Sequence, residues 1–385
     1  MGPPILDRVG PSRGVFCMGQ MSRCKSTYHR PDARPGGLRA ALRRPAAGAA
    51  ALAAGLALAG GAGARSATAA TTGTLVVEGA GEGHGVGMSQ DGALGYAQHG
   101  ATYAEILAHY FTGTTIGQAP AATVVKVLVG SKVKRVPLER YLRGVIANEM
   151  SPTWPAAALE AQAVASRTYA LTAHAGGSRF DVYSDSRSQV YRGAAAEWAT
   201  TNAAVAATAG QILLYEGQPA ISYFFASSGG MTESVQNAFP GSAAEPWLVG
   251  VVDPYEASTS RWKFDIPFAT AARRLRGLFK GSFRGVEVLT RGTSPRVVLA
   301  RVLGTAAAMR VSGPVLAARL GLPSTWDYFD VLRGAALRQE PDKSGRARTW
   351  TPVPEPAPAS PGASGGVAPP SAAASGAPDG GTASG

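Results

Sequence analysis

Cysteine is nearly missing from this chain: Cys17 and Cys24, both close to its start, are the only two in 385 residues. If both lie in a leader, as argued below, the rest of the chain has neither a disulfide nor a thiolate metal ligand. Histidine is scarce as well. Beyond residue 69 only His84, His99, His109 and His174 occur, with no His-x-x-x-His pair, so a zinc enzyme is disfavoured and no metal or organic cofactor is expected. No Gly-Lys-Ser/Thr follows the glycine-rich stretch 81–90, which argues against a phosphate loop, and no Gly-x-Ser-x-Gly elbow surrounds Ser227 and Ser228.

A long, strongly apolar run is missing too. The nearest approach is 46–64, built of alanine, leucine and glycine after Arg39, Arg43 and Arg44 and before Ala67-Thr68-Ala69, the layout of an export signal with a small-residue cleavage site. Residues 1–69 are therefore expected to be a leader that is removed; if it were retained, it would anchor the protein to a membrane. The formal net charge of +12 is concentrated there: ten of the 37 Lys/Arg and two of the 25 Asp/Glu fall in 1–69, leaving 27 basic against 23 acidic residues. Without a basic run interleaved with aromatics, nucleic-acid binding is disfavoured, and a mild positive charge suits an anionic cell wall. Residues 340–385 are dominated by Pro, Ala, Ser and Gly and read as a disordered tail.

What is present centres on 136–171. Pro137 suits the first turn of a helix, and Leu138, Leu142, Val145 and Glu149 recur at four-, three- and four-residue steps, so Glu149 continues an apolar stripe. Pro152 and Pro155 stop the helix just beyond it. Partial burial and the negative end of the helix dipole both raise a carboxyl pKa, which makes Glu149 a candidate general acid. The position equally suits an ordinary helix-end glutamate paired with Arg143 or Arg167, and spacing alone does not choose. A second helix, from Pro155 to about His174, is expected to pack behind the first.

Glu149-Met150, Trp154-Pro155, 161–165 (Ala-Gln-Ala-Val-Ala) and Arg167-Thr168-Tyr169 together resemble the core signature of the stage II sporulation protein D family (SpoIID/LytB domain). Ser151 stands where that family commonly has proline, with Pro152 beside it. The resemblance implies that Glu149 is the catalytic acid/base of a peptidoglycan lytic transglycosylase. It extends over roughly 75–331 and includes 83–114, although Asp91 replaces a usual aromatic. This block precedes the Glu149 block, whereas in the sporulation protein it ends the domain; the order resembles actinobacterial members and a circular permutation. The expectation is spatial: His84 and Gln90 should return to the cleft beside Glu149.

Three further segments bear on the site. His84 lies among glycines that permit close backbone approach, and a tight turn with a satisfied histidine is the plain alternative. Gln189 and Tyr191 belong to a Gln-Val-Tyr-x-Gly element suited to sugar binding, while Tyr191 fits an edge-strand core position as well. Ser228 opens a Ser-Gly-Gly-x-Thr-Glu loop that the resemblance places in the cleft wall. Hairpins are expected around Gly130, at 211–226 and at 286–302, and helices at 197–209, 268–279 and 311–320.

These readings combine into a secreted, cell-wall-associated α+β protein of mixed helices and antiparallel hairpins forming a two-lobed cleft. Residues 70–335 form one SpoIID-like domain, with the permuted block at 74–117 and the core at 123–331. Its expected partner is the peptidoglycan glycan strand. Glu149 is the expected catalytic residue, with Arg167, Gln189, Tyr191, His84, Gln90 and Ser228 holding sugars. Glu82 or Glu233 could serve as a second carboxylate and turn the reaction into hydrolysis, which needs a flanking pair. The competing reading is a non-catalytic glycan-binding modifier of a cell-wall amidase. The leader makes the first testable claim: protein recovered from a wall or culture fraction should begin between about residues 64 and 72, and intact Arg43-Arg44 in a membrane fraction would establish an anchor instead.

Overall fold

A computed structural model describes residues 73–256 and 260–333, so the expected leader and tail lie outside the described residues. Strand β1 (Gly73–Ala80) leads through the glycine-rich stretch to a two-residue strand, β2 (Met88–Ser89), and helix α1 (Gln90–Gln98). The helix starts there because the Ser89 hydroxyl accepts the Gly92 N–H at 3.1 Å. Helix α2 (Tyr103–Tyr110) opens with a capping box between Thr102 and Glu105 and buries Ile106, Leu107 and Tyr110, leaving Glu105 in solvent as its spacing predicts.

After β3 (Thr115–Gln118), the expected hairpin forms from β4 (Val124–Val129) and β5 (Lys132–Pro137), turning at Gly130 with φ of 59°. Helix α3 (Leu138–Glu149) follows at once. Leu138, Tyr141, Leu142, Val145 and Ile146 are its buried stripe, and Arg140 and Arg143 are exposed. Helix α4 (Ala156–Thr172) restarts after the prolines and is buried along most of its length, where its alanines let neighbouring elements approach closely.

Four polar residues are buried with α4, and each has partners. Arg167 forks onto Glu139 with both N–O distances at 2.8 Å and spends its remaining N–H groups on the carbonyls of Ala163, Val205 and Gln211. Glu139 lies in the first turn of α3, where the helix dipole favours a carboxylate. Thr168 donates to Val164 O at 2.8 Å and accepts the Leu213 N–H at 2.9 Å, while Gln162 and Ser166 bond each other.

Strand β6 (Val182–Tyr183) pairs in parallel with β4, and α5 (Ala199–Ala207) and β7 (Gln211–Tyr215) cover α4. The alternation at 220–226 predicts a full partner for β7, but the observed hairpin stops at β8 (Gln218–Pro219). The Ala220 N–H still donates to Leu213 O at 3.0 Å, but the Leu213 N–H that would return the bond goes to the Thr168 hydroxyl at 2.9 Å. The residues beyond β8 form β9 (Phe224–Phe225), which pairs in parallel with β2. A short helix, α6 (Val235–Ala238), completes the first core.

The second core joins β1 to the C-terminal third: β10 (Arg261–Pro267), α7 (Phe268–Arg274), β11 (Phe279–Lys280), β12 (Phe283–Arg291), β13 (Val297–Gly304), β14 (Ala307–Ser312), α8 (Gly313–Leu320) and β15 (Trp326–Arg333). Two antiparallel sheets, ordered β10-β1-β15 and β11-β14-β13-β12, enclose Leu75, Val77, Phe268, Leu275, Phe283 and Leu316. The helix expected over 268–279 ends early because Gly277, at φ of 87°, turns the chain into β11. The architecture is α+β, with antiparallel pairing throughout except at β2–β9 and β4–β6 among the described strands.

The Arg167 fork yields a stability prediction. Arg167→Met leaves three carbonyls and a carboxylate without their donor and should cost about 3 kcal/mol in urea unfolding. Glu139→Gln should cost clearly less, because Glu139 is partly solvated and keeps an acceptor oxygen. Equal losses would show that the ion pair alone carries the effect.

Candidate active site

Glu149 is the last residue of α3, and Met150 turns out of the helix at φ −129° and ψ 154°. The side chain keeps some accessible surface, yet protein surrounds the carboxyl closely. Two donors reach it: the Val190 N–H, at 2.6 Å from Oε1, and the Gln90 side chain. Burial pushes the carboxyl up to about 7, and the two donors pull it part of the way back. It is therefore protonated in a substantial fraction of molecules at neutral pH. Neither Arg143 nor Arg167 pairs with it: Arg143 is exposed and Arg167 is committed to Glu139.

Tyrosines form the near surroundings. Tyr141 stacks on Tyr191, ring centroids 5.2 Å apart and 26° from parallel, and the Tyr191 ring lies against Gly144, where a Cβ would come within 2.7 Å. Burial first, and the nearby Glu149 charge next, push the Tyr141 phenol well above its ordinary value. The Tyr169 phenol is pushed up to about 12, mainly by burial. Both therefore stay neutral around Glu149. A groove of about 440 Å³ opens one turn further along α4, between Leu171, Thr172, Ile221 and Trp247.

Of the residues expected around Glu149, the structure brings Gln90, Gln189 and Tyr191 together. Gln90 stands at the start of α1 and also donates to Gln162 Oε1 at 3.3 Å. Gln189 is fully buried and donates to Ser166 O at 3.0 Å, so it fixes the segment whose next residue presents the Val190 N–H and does not itself face a sugar. Tyr191 is half-buried.

The other three serve differently. Arg167 has no N–H left for a substrate, which corrects its expected sugar-binding role to a structural one. His84 accepts the Val86 N–H on Nδ1 at 3.0 Å and packs among Tyr223, Phe225 and Phe239. Burial, then the Arg296 charge, push it down to about 3, so it stays neutral at physiological pH. Tyr223 also meets Tyr169, ring centroids 6.1 Å apart, so His84 is linked to the Glu149 surroundings through two rings. Ser228 is fully buried, its hydroxyl in hydrogen-bond contact with Asp253 Oδ2 at 2.9 Å and with Glu256; its placement beneath the surface again corrects a sugar-contact role.

The rival carboxylates separate cleanly. Glu233 is fully buried and takes five donors, from Ser234, Asn237, Thr293 and the amide and hydroxyl of Ser294, so it ties two loops together. Glu82 is partly exposed, and burial raises its pKa. It stands near Asp91, which burial and then the charges of Glu256 and Glu82 push up to about 6. Sequence reasoning missed Asp253 and Glu256; burial, then the Glu256 charge, push Asp253 up to about 7, and the spacing of these two acids beside Pro254 and Tyr255 gave no periodic signal.

The family model described as stage II sporulation protein matches residues 130–215, a span that holds Glu149, Gln189 and Tyr191 and stops short of His84, Gln90 and Ser228. An uncharacterised protein of Brachyspira hyodysenteriae is 41% identical over 122 residues, covering 31% of this chain and 33% of its own. Stage II sporulation protein D of Bacillus subtilis is 31% identical over 174 residues, covering 41% of this chain and 50% of its own. The amidase enhancer of Bacillus subtilis is 37% identical over 113 residues, 29% of this chain and 15% of its own. The chain thus spans half or less of the length of these relatives. The helix-end glutamate and the 188–193 segment lie inside the matched span, so it is over this part that the chain is similar to the stage II sporulation protein D (SpoIID) family.

Proposed function

We propose that the protein is an exported lytic transglycosylase that cleaves the peptidoglycan glycan between N-acetylmuramic acid and N-acetylglucosamine. The observation that carries this reading is Glu149: a single carboxyl pushed up to about 7, held by two donors, with no other carboxylate among the influences on its acidity. Protonated Glu149 gives its proton to the glycosidic oxygen as the bond to muramic C1 breaks and positive charge develops there. The resulting carboxylate removes the proton of the muramic 6-hydroxyl while O6 closes on C1. The proton is back on Glu149, a 1,6-anhydro ring has formed, and no water is consumed. One carboxyl suffices for this route, whereas hydrolysis uses a flanking pair.

The surroundings fit a sugar chain. Tyr191, next to the Val190 N–H that reaches Glu149, supplies an aromatic ring, and Trp247 lines a separate groove at the end of α4. No helix among the described residues is long and apolar enough to cross a membrane. The match to an amidase enhancer favours a second reading, in which the protein binds glycan and assists a cell-wall amidase without cutting. Mass spectrometry of fragments released from purified peptidoglycan by the isolated protein separates the two.

Glu149→Gln should lower glycan cleavage by about 10²-fold or more while glycan binding persists, and wild-type products should carry anhydro ends with no oxygen from labelled water. Label uptake would instead assign a hydrolase, with Glu82 as the available partner; undiminished cleavage by the variant would remove Glu149 from the mechanism. Because the acid form starts the reaction, kcat/KM should fall as pH rises through about 7.

Stability should move the other way from activity. The folded protein retains a proton that the unfolded chain releases as pH rises from 4.5 to about 7, so stability falls across that window. Glu149→Gln lacks this dependence and should be the more stable protein at pH 8, by up to about 3 kcal/mol, with the gap closing near pH 4. A variant less stable than wild type at pH 8 in urea unfolding would show that the fold prefers the anion.

A further inference from the structure

The two donors that reach Glu149 come from distant parts of the chain, yet both are tethered to the same turn of α4. Gln90 Nε2 donates to Gln162 Oε1 at 3.3 Å, and Gln162 Nε2 donates to the Ser166 hydroxyl at 2.9 Å. Gln162 and Ser166 are four residues apart on one helix face, and both are fully buried. On the other side, Gln189 Nε2 donates to Ser166 O at 3.0 Å, and the next residue presents its N–H to Glu149 at 2.6 Å. Ser166 therefore anchors both arms, one through its hydroxyl and one through its carbonyl.

We propose that Gln162 and Ser166 are positioning residues that set the acidity of Glu149 by holding the Gln90 amide against its carboxylate. The proposal rests on Glu149 being the acid/base only for its effect on turnover; the acidity itself can be read without any reaction. The amide of Gln162 works in both directions. Its oxygen accepts from Gln90, and its nitrogen is committed to Ser166, so the group cannot flip without losing both bonds. Gln90, held by this fixed amide, is also the side-chain donor that favours the Glu149 anion. A donor to a carboxylate stabilises the anion, so loosening it raises the pKa.

Few other groups compete for control of that carboxyl. The titratable side chains acting with it are Tyr141 from α3 and Tyr169 from α4, both neutral at neutral pH. Asp91 follows Gln90 in α1, but the charges that act on it are those of Glu256 and Glu82. The arrangement gives a reason for a glutamine and a serine in the interior of an otherwise alanine-rich helix, where an unsatisfied amide would cost about 1–3 kcal/mol.

The test is a carbon-13 carboxyl titration of the full chain labelled at glutamate, with the Glu149 signal identified by its loss in Glu149→Gln. Gln90→Leu should raise the Glu149 pKa by about 1, the size of one hydrogen bond to a charged group, and Gln162→Met should raise it by a good part of that. Gln90→Leu/Gln162→Met should titrate like Gln90→Leu alone, because Gln162 acts through Gln90. If the Gln162 variant fails to fold, Ser166→Ala, which removes only the hydroxyl, should give a smaller rise in the same direction. An unchanged titration in Gln162→Met or Ser166→Ala, or a shift that adds in full to that of Gln90→Leu, would overturn the proposal. In a protein that cleaves glycan, the alkaline limb of kcat/KM should move up with the titration. In one that does not cleave, the titration still decides.

Discussion

A helix buried on nearly every side must supply a partner for each polar group it carries, and that requirement at α4 organises the first core. Between positions 162 and 168 the helix holds an amide, a hydroxyl, a guanidinium and a second hydroxyl. Each reaches a different element: Arg167 reaches the start of α3, α5 and β7, Thr168 reaches β7, Ser166 reaches the 188–190 segment, and Gln162 reaches α1. Alanine between them keeps the neighbours close enough for these bonds to form. The same short stretch thus orients the scaffold and the surroundings of Glu149, and a change made for one reason is felt in the other.

Glu149 and Glu233 show how donor supply separates two inward-facing carboxyls in one fold. Glu233 is met by five N–H or O–H groups from two loops and serves as a tie between them. Glu149 has two, and burial leaves its proton poised near neutral pH. An undersupplied carboxyl is less stable in its charged form, and that is the property acid catalysis needs.

Much of this was legible in the sequence where the signal is local. The apolar stripe of α3, the two prolines after it and the alanine run of α4 locate Glu149 and its helix end within a residue, and the spacing of α2 correctly sends Glu105 outward. Failures came where the deciding partner is distant. Arg167 looks the same in sequence whether it binds sugar or Glu139, and only the folded position of Glu139 chooses. The 220–226 stretch alternates like a hairpin strand, but Thr168 takes the Leu213 N–H that would continue its ladder and Met88-Ser89 takes the pairing. Ser228 reads as a loop hydroxyl until Asp253 and Glu256 close over it.

The sheet order β10-β1-β15 has a consequence for how the chain reaches this state. β1, the first strand described, lies between two strands that come near the end of the described chain, and each of its flanks is completed by a different one. The second core therefore cannot close until residues 326–333 have been made and have found a strand some 250 positions earlier, a loop closure of high entropic cost. The first core needs shorter closures: α3 and α4 are consecutive, β4, β5 and β7 lie within the same hundred residues, and the β2–β9 pairing spans 136 positions. Order of synthesis and order of assembly thus run in opposite senses at the N-terminus, where the strand that leaves first is among the last to be held.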